Sequence, residues 1–331
     1  MVDTVLSMIT QTPAAGVALD RADTAAMRRA VLAVRASGER LVNDLATVAA
    51  VREASDTLPL TLRRALREFR RHSGPTGSLL VRGMPVDESL LPATPAVDGS
   101  VQLTLSDAAA VLMLVACALG DPVAFRAEKS GALVQDVVPV PGKEEFQGNA
   151  GSVMLSFHNE NAFHQHRPDY VMLLCLRPDH DRVAGLRTVC SREILPRLTH
   201  ETRRTLFLPE FVTQAPPSFG ANRDATAPHG VLSGAPDDPD MRVDLAATTP
   251  LTQRAKAALA ELGEVFDRNA QSVRLVTGDL AIVDNRVTVH GRTAFRPRYD
   301  GHDRWLQRTF VAVNLRGSRG LRPADGHVLE S

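Results

Sequence analysis

The sequence predicts a mainly β fold with α additions: a jelly roll flanked by N-terminal and inserted helices. Three observations carry this expectation. Helical periodicity is concentrated before about residue 125, short β-type runs alternate with turns beyond it, and one long segment rich in Pro, Gly and Asp separates strands. The expected organisation is a single domain, with residues 1–125 mostly helical and 126–331 forming the jelly roll. A lid loop is expected at about 211–240.

Along the chain, "PLTLRRALREFRRHSG" repeats Leu62, Ala65, Leu66 and Phe69 at helical spacing, with Pro59 near its start and Gly74 just past its end. "GSLLVRGMPVD" is a short apolar run bounded by glycine and proline and predicts a buried strand. "LSDAAAVLMLVACALGD" is apolar nearly all round and predicts a buried helix. The runs "ALVQDVVPV", "YVMLLCLR", "LAIVDNRVTVHG" and "WLQRTFVAVNL" predict strands. "PPSFGANRDATAPHGVLSGAPDDPD" lacks apolar periodicity and predicts a long mobile loop, the length at which loops serve as lids or binding segments.

Lys plus Arg and Asp plus Glu both number 38, so the formal net charge is zero. No global field draws in nucleic acid or anionic lipid, and a small polar or zwitterionic partner fits better. The three cysteines, Cys117, Cys175 and Cys190, are an odd number set mostly in apolar runs. They predict buried thiols in a reducing compartment, the cytoplasm by default. The start has no basic segment followed by an apolar core, and no apolar run reaches the ~18–20 residues that span a bilayer. The expectation is therefore a soluble, unexported protein. The sequence leaves the oligomeric state open, with a monomer compatible.

"SFHNENAFHQHRPDY" carries the strongest chemical signal. On a strand, side chains two apart share a face, so His158 and Glu160 can reach one ion while Asn159 faces away. A His-x-Glu pair is common by chance, and two ligands do not complete a site. The best third candidate is His290 in "DNRVTVHGRTAF", expected at the end of an apolar strand where the chain turns at a glycine. Two histidines and a carboxylate on one face of an ion form the facial triad of non-haem Fe(II) oxygenases. Arg304 and Arg308, in "RYDGHDRWLQRTFV", offer planar forks for carboxylates, with structural ion pairs as the alternative for each.

These stretches, with "ALVQDVVPVPGKEEFQGNAGS" and "AIVDNRVTVHGRTAFRPRYDGHDRWLQRTF", resemble the Fe(II)/2-oxoglutarate oxygenases of the clavaminate synthase-like group. Within it, they are most similar to the members that hydroxylate C3 of free L-asparagine. The resemblance runs from about residue 56 to the C-terminus and implies a double-stranded β-helix. It implies Fe(II), 2-oxoglutarate and O₂ as cofactor and co-substrates, with succinate and CO₂ formed beside 3-hydroxyasparagine. A role in supplying a building block for nonribosomal peptide antibiotics is also implied.

The same resemblance implies that His158, Glu160 and His290 ligate iron and that Arg304, helped by Thr188, holds the far carboxylate of 2-oxoglutarate. Arg308 would take the carboxylate of the amino acid, Glu128 and Gln135 its α-ammonium, and Asn149 and Asp244 its side-chain amide. Arg242, on the strand face of Asp244 if that strand is regular, disfavours a cationic substrate tail. Phe211, Pro217, Ser218 and Phe219 would belong to the lid, with His164 and His166 as surface or lid-contact groups. Arginine, lysine or aspartate remain alternative substrates. A zinc hydrolase on the same three ligands, or a non-catalytic metal-binding jelly roll, is the more distant alternative.

Overall fold

The computed structural model describes residues 15–36, 40–216, 219 and 225–330. The first part contains β1 (Ala15–Ala18), α1 (Arg21–Arg35), α2 (Leu45–Ser55), α3 (Leu60–Arg71), β2 (Ser78–Arg82) and α4 (Asp107–Leu119). Strands dominate from there: β3 (Asp121–Phe125), β4 (Gln135–Val137), β5 (Leu155–His158), β6 (Tyr170–Arg177) and β7 (Gly185–Cys190). Next come α5 (Ser191–Ile194), α6 (His200–Leu206), β8 (Phe211–Thr213), β9 (Leu232–Ala235), β10 (Asp238–Met241) and β11 (Thr248–Pro250). The chain ends with α7 (Gln253–Asn269), β12 (Gln271–Arg274), β13 (Leu280–Asp284), β14 (Thr288–Arg292), β15 (Trp305–Ala312) and β16 (Val328–Leu329).

Two sheets form the jelly roll. The larger runs β1-β2-β13-β6-β15-β3-β16, with β4 also paired to β15, and the smaller runs β12-β7-β14-β5. The mainly β architecture with helices outside matches the expectation. Within the mostly helical N-terminal part, β1 and β2, the latter the strand expected in "GSLLVRGMPVD", extend the larger sheet.

The helices cover the outer faces because their sequences leave them one dry side. α3 buries Leu62, Leu66 and Phe69 at the predicted spacing. α4 buries nearly its whole surface, and its start is capped by Ser106 Oγ, which accepts from the Ala109 N–H at 3.2 Å. A cavity such as Leu112→Ala leaves in so closed an environment costs about 2–5 kcal/mol. α7 and α6 cover the smaller sheet, packing Phe266 and Leu262 against Phe157 and Val289.

Between the sheets, Leu186, Leu306, Phe310, Val171 and Ala281 form an inner apolar cluster. Side chains alternate along each strand, so Thr188 of β7, His290 and Arg292 of β14, and Arg308, two residues after Leu306 on β15, face this interior.

Two sequence expectations change here. "LAIVDNRVTVHG" is not one strand: β13 lies in the larger sheet and β14 in the smaller, and the turn at Asn285 carries the chain between them. The long loop also contains regular structure, since β9 and β10 pair as a hairpin with Gly234 at φ 84°. Polar, proline-containing strands hide from periodicity because their pairing, not apolar burial, defines them.

Candidate active site

A cavity of about 560 Å³ opens at the end of β5, and its wall includes His158, Glu160, Glu128, Asn149, Asp244, Arg308, Thr213 and Phe219. That volume suits a small-molecule ligand.

His158 closes β5 and is the register partner of His290 on β14. Their ring centres are 4.4 Å apart, and Glu160 Oε2 lies 3.7 Å from His290 Nε2. One donor atom from each of the three falls within 4.8 Å of the others. His290 is not at the end of its strand as expected but in the middle of β14. The following glycine serves close approach rather than a turn: a Cβ on Gly291 would stand 2.6 Å from the Leu155 carbonyl oxygen. A bulge at this point in β5 sets His158 opposite His290 and Leu155 opposite Arg292.

Glu160 reaches the cluster by a different route from the one strand alternation predicts. β5 stops at His158, and Glu160 sits in the turn beyond. Asn285 holds it there: Oδ1 accepts from the Glu160 N–H at 2.7 Å, and Nδ2 donates to the Glu160 carbonyl at 3.0 Å and to Pro168 O at 2.9 Å. Asn159 does face away from the cluster, but it is not idle. It donates to the carbonyls of Asn285 (2.8 Å) and Thr288 (3.1 Å) and accepts from the Val243 N–H (3.0 Å). Sequence reasoning missed both asparagines as positioning residues, because each was read within a strand and its partners lie far off in the chain.

The ligand chemistry suits a divalent metal. His158 Nδ1 donates to the Ser156 carbonyl at 2.9 Å, leaving Nε2 with its lone pair. Burial, then His158 and Arg308, holds the His290 imidazole well below the usual histidine range, so it is neutral at pH 7. His290 Nδ1 is buried without a partner among the described residues.

Arg308, 3 % exposed, is enclosed by acceptors. Nη1 donates to Glu160 Oε2 at 2.9 Å, and Nη2 donates to Glu128 Oε1 and Gln135 Oε1. With its amide turned to suit these donors, Asn149 Oδ1 accepts from Nη1 at 3.0 Å and Nη2 at 3.1 Å, and its NH₂ becomes the donor on the other side. Burial pushes the Glu128 carboxyl above the usual range, Arg308 opposes this and Glu160 adds to it. Asn161 Nδ2 donates to Glu128 Oε2 at 3.4 Å.

On the opposite wall, the Asp244 backbone bridges to His158. Its Oδ1 accepts from the Ala246 N–H at 2.8 Å and its N–H donates to Thr248 Oγ1 at 3.0 Å, and Oδ2 has no hydrogen bond among the described residues. Thr248 Oγ1 lies 2.9 Å from Thr213 Oγ1, which lies 3.0 Å from His229 Nε2. β10 ends at Met241, so the regular strand that would set Arg242 beside Asp244 is absent. Arg242 instead donates to the carbonyls of Ala162 (2.5 Å) and Phe163 (2.9 Å) and secures the turn after Glu160.

Arg304 is 7 % exposed and has no ion pair among the described residues; Thr188 is the register partner of His290. Neither belongs to the wall of the cavity, and both face the inter-sheet interior behind it. Phe211, expected on the lid, is fully buried in β8 against the α7 side of the smaller sheet. Pro217 and Ser218 lie outside the described residues. Phe219 packs edge-on against Phe163 at 4.6 Å and near His164 at 6.4 Å, and His164 in turn meets Phe125 at 4.8 Å. His166 is half-buried, 6.1 Å from His164.

Comparison with known proteins agrees with this geometry. Residues 53–310 match the family described as "Taurine catabolism dioxygenase TauD, TfdA family". The chain is 59% identical to the L-asparagine oxygenase of Streptomyces coelicolor, over 95% of this chain and 94% of that protein. It is 35% identical to clavaminate synthase 2 of Streptomyces clavuligerus, over 81% and 84% of the two chains. A solved structure of asparagine oxygenase in complex with Fe(II), 2S,3S-3-hydroxyasparagine and succinate superposes with a TM-score of 0.93 at 57% identity, covering 96% of this chain and 99% of that one.

Proposed function

The chain belongs to the TauD, TfdA dioxygenase family, and we propose that it is an Fe(II)- and 2-oxoglutarate-dependent oxygenase that hydroxylates C3 of free L-asparagine. The observation that carries this reading is a complete His, Glu, His cluster set directly against a buried grip for a zwitterion, joined by the 2.9 Å contact of Arg308 with Glu160.

His158, Glu160 and His290 would hold Fe(II) and leave the remaining positions open. Iron bound there with 2-oxoglutarate supplies the oxygen chemistry that yields succinate, CO₂ and a hydroxyl at C3. The protein does the rest. Arg308 takes the α-carboxylate, and Glu128, whose carboxyl is destabilised as an anion by burial, gains the α-ammonium as a counter-ion beside Gln135. Asn149 donates its NH₂ to the side-chain oxygen of the substrate, and Asp244 Oδ2 accepts from the side-chain NH₂. These contacts fix C3 toward the metal side of the cavity. Phe219, seated on Phe163, helps to keep water out.

Arg304, a buried cation without a counter-ion among the described residues, would receive the far carboxylate of 2-oxoglutarate with help from Thr188. An arginine or lysine substrate fits less well, because Asp244 has one of its two oxygens committed to Ala246. The chain reads as one oxygenase domain acting in the cytoplasm and supplying a modified amino acid to peptide antibiotic assembly. No helix among the described residues is long and apolar enough to cross a membrane. Succinate formation with Fe(II), 2-oxoglutarate and each amino acid in turn tests the reading. Asparagine should give the largest stimulation, and a metal-dependent hydrolysis without succinate would replace it with a zinc hydrolase.

A further inference from the structure

We propose that Arg292 is a second cationic anchor for the distal carboxylate of the 2-oxoacid co-substrate, working beside Arg304. The inference deepens the function proposed above and rests on it. Arg292 follows His290 by two residues on β14, so its side chain enters the same inter-sheet interior. It is 4 % exposed. Nη2 donates to the Val153 carbonyl at 2.9 Å, and Nε is buried with no partner among the described residues.

Two buried guanidiniums therefore share this part of the interior. Arg292 and Arg304 both lie against the Phe295 ring, with guanidinium carbons 5.2 Å and 5.7 Å from its centre, and neither has a carboxylate within 4.0 Å among the described residues. Two other buried or half-buried arginines are matched by carboxylates: Arg286 has Asp284, and Arg308 has Glu160 and Glu128. A buried cation without a counter-ion is costly, and two side by side are costlier. A protein carboxylate between them would relieve that cost but would repel an anionic co-substrate.

A dianionic 2-oxoacid resolves the conflict. Its reacting end lies at the metal cluster, and its distal carboxylate offers two oxygens, one for each guanidinium fork. The Phe295 ring limits where either fork can swing. Arg292 thus contributes to the choice of a five-carbon diacid over a 2-oxoacid that lacks the second carboxylate.

The test uses binding alone. The whole protein is loaded with Mn(II) as a stand-in for Fe(II) and titrated anaerobically with 2-oxoglutarate or 2-oxobutyrate, which lacks the distal carboxylate. Arg292→Gln should weaken 2-oxoglutarate about tenfold or more while leaving 2-oxobutyrate within about twofold of wild type. Arg292→Lys, which keeps the charge but loses the fork, should fall between and serves if the glutamine variant does not fold. Unchanged 2-oxoglutarate affinity, or equal weakening of both ligands, overturns the inference. Preference for 2-oxoglutarate that survives in Arg292→Gln and collapses in Arg304→Gln overturns this inference alone. Survival in both variants overturns the co-substrate reading on which it rests.

Discussion

Arg308 Nη1 lies 2.9 Å from Glu160 Oε2, and that same oxygen is 3.7 Å from His290 Nε2. One carboxylate thus links the proposed metal site to the guanidinium proposed to hold the substrate. Arg308→Lys keeps the charge but loses the planar fork. Amino acid affinity should fall about 10–100-fold, from the loss of charge-assisted bonds worth about 1.5–3 kcal/mol, while 2-oxoglutarate affinity stays near wild type. Calorimetric titration of each ligand checks this. Equal losses for both would remove Arg308 from the substrate site.

Glu160→Ala and His290→Ala should fold yet lose the metal and turnover together, since two side chains cannot replace three. Metal content after dialysis, measured beside the far-ultraviolet spectrum, distinguishes this from unfolding. Full activity in either variant would place the metal elsewhere. Asn285→Ala should weaken the same site indirectly by freeing the turn that carries Glu160.

Asp244 should decide between asparagine and aspartate. An aspartate side chain would set a second carboxylate against Asp244 with no proton between them, which is strongly unfavourable. Asp244→Asn should raise the activity ratio of aspartate to asparagine, with binding of 2-oxoglutarate unchanged. Thr248→Val removes the hydroxyl that fixes the Asp244 N–H and should raise KM for asparagine more than it lowers kcat; Thr248→Ser should restore it. An unchanged ratio in Asp244→Asn means this carboxylate does not meet the side chain.

Lys129 provides a pH test of the cavity rim. Burial, then Arg308, lowers its ammonium to about 8, although Nζ donates to Ser100 O at 3.2 Å and to Asp136 O. The unfolded chain keeps that proton up to the usual lysine value near ~10.4. Between those values the unfolded state binds more protons, so this group makes stability rise with pH across that window. Below about 8 its burial cost is fully present. The melting temperature of wild type relative to Lys129→Met should therefore increase from pH 8 to pH 10; a flat difference would show that Lys129 titrates normally.

The chemistry was more legible in the sequence than the scaffold that positions it. His158, Glu160, His290, Arg304 and Arg308 stood out through a His-x-Glu pair, a distant histidine and two spaced arginines, and through the family resemblance that these stretches carry. Strand alternation was used to place His158 and Glu160 on one face. It gave the wrong route for Glu160, whose place depends on Asn285, 125 residues away, through bonds that leave no local pattern. The β13 to β14 crossing was hidden because both strands are apolar, and the β9–β10 hairpin because its strands are polar. Phe211 looked like lid from its neighbours, but an aromatic preceding Val and Thr is equally the root of a strand.

The central claim is that one atom of O₂ enters C3 of asparagine as 2-oxoglutarate is consumed. Reaction under ¹⁸O₂ with Fe(II), 2-oxoglutarate and L-asparagine, followed by mass spectrometry of both products, measures it directly. The expected products are 3-hydroxyasparagine and succinate in equal amounts, each carrying one labelled oxygen, with the amino acid label on C3. Succinate formed at the same rate without asparagine, or an asparagine product whose new oxygen comes from water, would contradict it.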